Sequence, residues 1–151
     1  MVDVHDKATR SYNMSRIKGT DTKPEMLVRK YLHANGIRYR LHNKTLPGKP
    51  DLTLTKYHTV IFVNGCFWHG HNCPLFRLPG TRTEFWQAKI DANRARDTAA
   101  EAALLAAGWR VGAVWECALR GRSALPFSEV MDRCAAWLRS AEPQLDIRGL
   151  N

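Results

Sequence analysis

No stretch of this sequence stays apolar for the ~20 residues that a membrane-spanning helix needs. The opening residues, Met1 to Lys7, hold none of the apolar core that a signal peptide carries. The sequence therefore predicts a cytosolic protein. Cysteine is scarce, with four among 151 residues, and in that compartment thiols stay reduced, which excludes a disulfide framework. Negative charge is also short: 14 Asp and Glu stand against 23 Lys and Arg, a formal charge of +9. A positive field of that strength draws polyanions, and nucleic acid is the commonest such partner. No internal repeat or low-complexity stretch occurs, and the length suits one domain over residues 1–151, with no room for a second.

What is present reads as helix, three strands, helix, strand, helix. Residues 1–20 are basic and polar, with Met14 and Ile17 as their larger aliphatics, and form an arm outside the core. Thr22 and Glu25 have capping-box spacing at the start of a helix that Asn35-Gly36 ends. Short strands are expected over 37–42, 51–55 and 60–63, and Gly/Pro/His/Cys-rich residues 64–82 form no regular element. A long helix follows from about Arg82 or Glu84 to Ala107, with Gly108 as its terminator. A strand over 109–115 and a helix capped by Ser128 complete the core. The stripe Val130, Met131, Cys134, Trp137 and Leu138 buries that last helix. Residues 142–151 read as a loose tail. The whole is an α/β fold, a three-layer-like sandwich with a small mixed central sheet flanked by helices.

Cys66, His71 and Cys73 lie within eight residues, and Cys117 follows the fourth strand. Three clustered soft ligands plus a distant cysteine suit tetrahedral Zn2+, and a full protein set of four makes the ion structural. The alternative is isolated thiols packed as small hydrophobes, the role assigned here to Cys134.

Pro50-Asp51 opens one strand beside another, an arrangement that suits an acid holding Mg2+ against a scissile phosphate. The acid and lysine that complete such a plan are missing, for the chain reads Phe62-Val63-Asn64. His69 is available as general base. Phe67-Trp68 precede it, two large aromatics in an irregular loop. They pack inside or act as a wedge that enters the base stack, which costs less at a mismatch. Trp86, Lys89, Asn93, Arg96 and Asp97 share one side of the long helix, as a solvated face or as contacts to DNA and the site. Asp97 is placed to orient His69.

Together, residues 10–17, 46–51, 60–73, 81–86 and 108–119, with Gly65-Cys66-Phe67-Trp68-His69 at their centre, resemble the very short patch repair (Vsr) DNA mismatch endonucleases. The resemblance implies a type II restriction endonuclease-like fold. It implies nicking 5′ to the T of a T:G mismatch left by deaminated 5-methylcytosine, in a Mg2+-dependent reaction. It assigns Mg2+ to Asp51 and the Val63 backbone carbonyl, catalysis to His69, and structural Zn2+ to Cys66, His71, Cys73 and Cys117. It places Phe67 and Trp68 in the major groove and the arm with Met14 and Ile17 in the minor groove. Trp86, Lys89 and Asn93 contact DNA in this reading, and Glu25 lies near the active site. Two positions depart from the pattern: Asn64 stands where some members have a second histidine, and Gly70 where a bulkier residue occurs. The first leaves catalysis to His69.

The function expected is thus a mismatch-nicking endonuclease. It would act as a monomer in the bacterial cytoplasm, at the nucleoid when bound to DNA, with mismatch-repair proteins as further partners. Two rivals stay open: a catalytically silent zinc module that binds distorted DNA, and a restriction-like nuclease acting on paired duplex.

Overall fold

The computed structural model describes residues 21–150. Helix α1 (Lys23–Ala34) leads into β1 (Arg40–Leu41) and β2 (Leu52–Leu54). A 3-10 turn (Thr55–Tyr57) and β3 (Thr59–Asn64) follow. The long α2 (Thr83–Ala106) crosses to β4 (Arg110–Trp115). Next come the short α3 (Glu116–Leu119), α4 (Phe127–Leu138) and β5 (Gln144–Ile147). The strands form one mixed sheet in the order β1-β2-β3-β4-β5. The first three pair antiparallel, and β3, β4 and β5 run parallel.

Alternation in the strands divides the core into two layers. Leu52, Leu54, Ile61, Val63, Val114 and Ile147 face one side, against Val28 and Leu32 of α1 and the whole expected stripe of α4. Val60 and Val111 face the other, where Leu104 of α2 covers them with Leu46, Phe62, Leu105 and Trp109. Cys134 is fully buried in the first layer, and burial pushes its thiol up to about 11. It is a packing residue, as its place on the stripe implied. The sandwich of helices around a small mixed sheet is the architecture read from the sequence. Among the described residues no helix is long and apolar enough to cross a membrane.

The helix ends follow local chemistry. Thr22 Oγ1 accepts the Glu25 N–H at 3.4 Å, one half of the expected capping box. Glu25 returns its Oε1 to the N–H of Asp21 at 3.2 Å, one residue further back than the standard box. Helix α2 stops at Gly108 with φ +88°, where Gly108 N–H bonds Leu105 O and Trp109 N–H bonds Leu104 O, both at 3.0 Å. These are the two bonds of a Schellman ending, which needs the left-handed conformation glycine supplies.

Three expectations are corrected. The tail from Glu142 is not loose: β5 pairs with β4 in register from Gln144 to Ile147, and Ile147 is fully buried. Its four residues hold too few apolar positions for alternation to stand out in the sequence. Ser128 does not cap α4, which begins one residue earlier after Pro126, with no side-chain cap bond. Pro126 itself occupies the cap position and has no side-chain acceptor to offer. The first strand is two residues, not six, because only Arg40 and Leu41 find partners on β2. The arm with Met14 and Ile17 lies outside the described residues.

Candidate active site and metal centre

Asp51 sits one residue before β2, where the β1–β2 pairing sets it opposite His42, whose N–H donates to the Asp51 carbonyl at 3.0 Å. Its Oδ2 accepts the backbone N–H of Val63 at 2.7 Å, so the carboxylate is tied to the neighbouring strand. Burial pushes its pKa up to about 7, and the nearby Glu25 carboxylate adds to the shift against the Val63 bond and the His42 ring. Glu25 is itself 1% exposed. It holds His42 Nε2 at 2.8 Å and Arg29 Nη1 at 3.0 Å, while Arg29 also reaches Asp21 at 2.6 Å. Glu25 thus serves the helix start and also faces Asp51, His42 and Arg29. Two carboxyl groups held together away from water are electrostatically costly, and a hard cation relieves that cost. Beside Asp51, the donor atoms of Asp21, Glu25 and His42 lie within 4.8 Å of one another, a carboxylate-rich group that suits such an ion.

The loop after β3 carries the soft ligands. The donor atoms of Cys66, His71, Cys73 and Cys117 all lie within 4.8 Å of one another. His71 Nδ1 is 3.6 Å from Cys117 Sγ, close to the edge of a tetrahedron with metal–sulfur bonds of about 2.3 Å. Cys66 and Cys117 are buried, and burial raises both thiols. Backbone N–H groups of Cys117 and Gly149 meet Cys66 Sγ and Cys117 Sγ, each at 3.3 Å. Such bonds stabilise thiolate ligands. Burial and the Arg148 charge lower the pKa of His71, which favours the neutral ring a metal requires. The four residues fit a single ion, with donors from the loop after β3 and from α3 after β4, at the same end of that parallel pair.

Between the ligands the loop presents His69, whose Nδ1 lies 2.5 Å from Asp97 Oδ2 on α2. The orienting role read for Asp97 has this contact as its basis. Asp97 and Asn64 line one cavity of about 270 Å3 between α2 and the sheet, with Phe62 and Trp115 as aromatic walls. Asn64 and Asp97 place this cavity at the end of β3, where the metal loop begins.

Phe67 and Trp68 are half-buried, with ring centroids 5.1 Å apart. Trp86 of α2 lies 5.5 Å from the first and 5.9 Å from the second. Asn93 faces this loop, donating its side-chain amide to Trp68 O at 2.9 Å, and Arg96 in turn donates to Asn93 Oδ1. Asn93 therefore braces the aromatic pair, and Lys89 is exposed. The loop is also pressed against the helix at Gly70. With φ +59°, a Cβ there would stand 2.5 Å from Ile90 Cγ2 and 2.8 Å from Arg94 Cδ. Gly70→Ala is expected to cost about 1–3 kcal/mol, read as a lower urea midpoint. An unchanged midpoint would mean that loop and helix separate at no cost.

A relative from Escherichia coli (strain K12), "DNA mismatch endonuclease Vsr", is 46% identical over all of this chain and 98% of its own length. The chain belongs to the Vsr family of DNA mismatch endonucleases. The family model "DNA mismatch endonuclease Vsr" matches residues 2–75. The "Type II nicking enzyme V.XorIIP" of Xanthomonas oryzae pv. oryzae is 49% identical over 83% of this chain and 92% of the relative. The "Type II nicking enzyme V.NmeAIP" of Neisseria meningitidis is 45% identical over 82% and 88%. Membership makes the chain a DNA endonuclease of the mismatch-repair class, and the sheet with its flanking helices is the Vsr-type fold.

Sequence reasoning missed His42, Arg29, Trp115 and Asp146. His42 faces Asp51 only through the β1–β2 register. Trp115 read as strand core, and Asp146 fell in the supposed tail.

Proposed function

We propose that this chain nicks DNA 5′ to the T of a T:G mismatch left by deaminated 5-methylcytosine, with Mg2+ for catalysis and Zn2+ for structure. The observation that supports the reading is the half-buried Asp51 next to buried Glu25, tied to β3 at Val63, with the His69–Asp97 couple on the loop that follows that strand. Asp51 and the Val63 carbonyl would hold Mg2+, which supplies stabilisation of negative charge developing on the phosphate. His69 is the base that accepts a proton from the attacking water. Asp97 engages Nδ1, which fixes the tautomer with Nε2 turned to the substrate. Zn2+ at Cys66, His71, Cys73 and Cys117 would hold the loop, so that Phe67 and Trp68 enter the stack as a rigid wedge. Unstacking is cheapest where pairing is already imperfect.

Trp86 supports the wedge, and Lys89 with the arm residues Met14 and Ile17 contacts the duplex. The chain works as a monomer on nucleoid DNA in the cytoplasm, ahead of mismatch-repair proteins.

End-labelled duplexes carrying a T:G mismatch in a CC(T/A)GG-like context or full pairing test this reading, with Mg2+ present. A nick at the T in the mismatched duplex alone, absent in His69→Ala, is the expected result. Cleavage of both strands of paired DNA would replace it with a restriction-like nuclease. Binding without any nick would leave a silent recognition module.

A further inference from the structure

Trp115 ends β4 between the two histidines of the loop. Its ring stacks on His71 with centroids 3.9 Å apart and planes 7° from parallel. It meets His69 edge-on at 6.0 Å and 81°. One indole therefore forms a shared wall of a metal ligand and of the base assigned above. An indole in that place has rotational freedom about its side-chain bonds unless something fixes it. The fixing group is Asp146 of β5, whose Oδ1 accepts the indole N–H at 2.7 Å.

The same end of the chain is fastened at two other points, one on the loop and one on the metal ligand of α3. Arg148 donates to the carbonyl of Asn72, and Gly149 N–H meets Cys117 Sγ at 3.3 Å. On its far side His69 is held by Asp97. The imidazole thus sits between a carboxylate on α2 and a ring that β5 anchors.

We propose that Asp146 is a positioning residue for strand nicking: through its bond to the Trp115 indole it fixes the rings of His69 and His71, although it serves as neither base nor metal ligand. A base displaced by a fraction of an ångström loses much of its rate while substrate affinity is kept. The inference rests on the proposed role of His69.

The test is a double-mutant cycle on the metal-loaded full chain, with Trp115→Phe, Asp146→Ala, their combination, and Asp146→Asn. Trp115→Phe keeps an aromatic ring and removes the N–H together with part of the indole, whereas Asp146→Ala leaves the indole whole. Asp146→Asn keeps an accepting oxygen.

Each of Trp115→Phe and Asp146→Ala is expected to lower kcat about tenfold with KM unchanged. The double variant should fall no further than either single one, and Asp146→Asn should stay near wild type. In parallel, proton NMR of the zinc-loaded protein without DNA follows the His69 and His71 ring protons, which lie in the ring current of the indole. Their shifts should move together in Asp146→Ala and return in Asp146→Asn.

Independent, multiplying losses in the cycle would overturn the proposal, as would wild-type kcat and unmoved ring protons in Asp146→Ala. Equal impairment of the Asn and Ala variants would overturn it too. If wild type itself fails to nick, the functional reading falls. The ring-proton shifts then still decide whether Asp146 sets the histidines.

Discussion

Asp51→Asn is expected to cut nicking roughly 1,000-fold and at the same time to make the protein more stable. The carboxyl group is held away from water beside Glu25, which pushes its pKa from 3.8 to about 7. The folded chain grips this proton more tightly than the unfolded chain does. Stability is therefore lost as pH rises from about 4 to about 7, and the deficit is complete above that range. Asparagine keeps the acceptor for Val63 N–H and cannot ionise. At pH 8 without Mg2+ the variant should gain about 1–3 kcal/mol, an advantage that vanishes near pH 4. Urea unfolding at both pH values measures it. Added Mg2+ should stabilise wild type and leave Asp51→Asn unmoved, because only a species that binds the folded state shifts the balance. A variant less stable than wild type at pH 8 would show that the ionised carboxylate is well solvated or well paired in the free protein.

Removing the ion at the cysteine centre should be the larger structural loss. Cys117→Ser leaves three donors, and about 3–5 kcal/mol of binding energy that would otherwise hold the fold is given up. For a chain of this size that corresponds to a fall in Tm of roughly 10–20 °C. Elemental analysis should show one zinc per chain in wild type and far less in the variant. Cys134→Ala is the control. Its cost is confined to packing in the first core layer, with full zinc occupancy. Equal zinc in the Cys117→Ser protein would remove that residue from the centre. The same variant should lose discrimination between mismatched and paired DNA, since the loop that shapes Phe67 and Trp68 would no longer be pinned to β4.

The metal cluster was legible in the sequence because soft ligands are rare, and three of them fall together. The two core layers were legible because Leu52, Leu54, Ile61 and Val63 alternate or cluster as strands do. Asp97 could be paired with His69 because a long regular helix fixes which of its residues share a side. What was hidden depends on register. His42 becomes a neighbour of Glu25 only when a two-residue strand folds back on β2. Asp146 reaches Trp115 only when four mostly exposed residues add themselves to the sheet edge. Neither pairing leaves a periodic trace, since both strands are shorter than the window in which periodicity can be counted. Glu25 read as a cap for good reason. Its contacts with His42 and Asp51 follow from the fold bringing α1 to the start of β2.

Helix α2 has 24 residues, yet only Ile90 and Leu104 are buried. Substitutions on exposed helix surface away from specific contacts usually change stability by less than about 0.5 kcal/mol. Most of this helix is therefore nearly neutral for folding, while lying alongside the loop that carries the chemistry. Asp97 and Asn93 aside, which hold His69 and the Trp68 carbonyl, mutational drift can alter its surface charges without endangering the sheet or the metal centre. Where the rest of that face meets DNA as proposed above, a lineage can move to a new target context by rewriting it, and the catalytic apparatus is inherited unchanged.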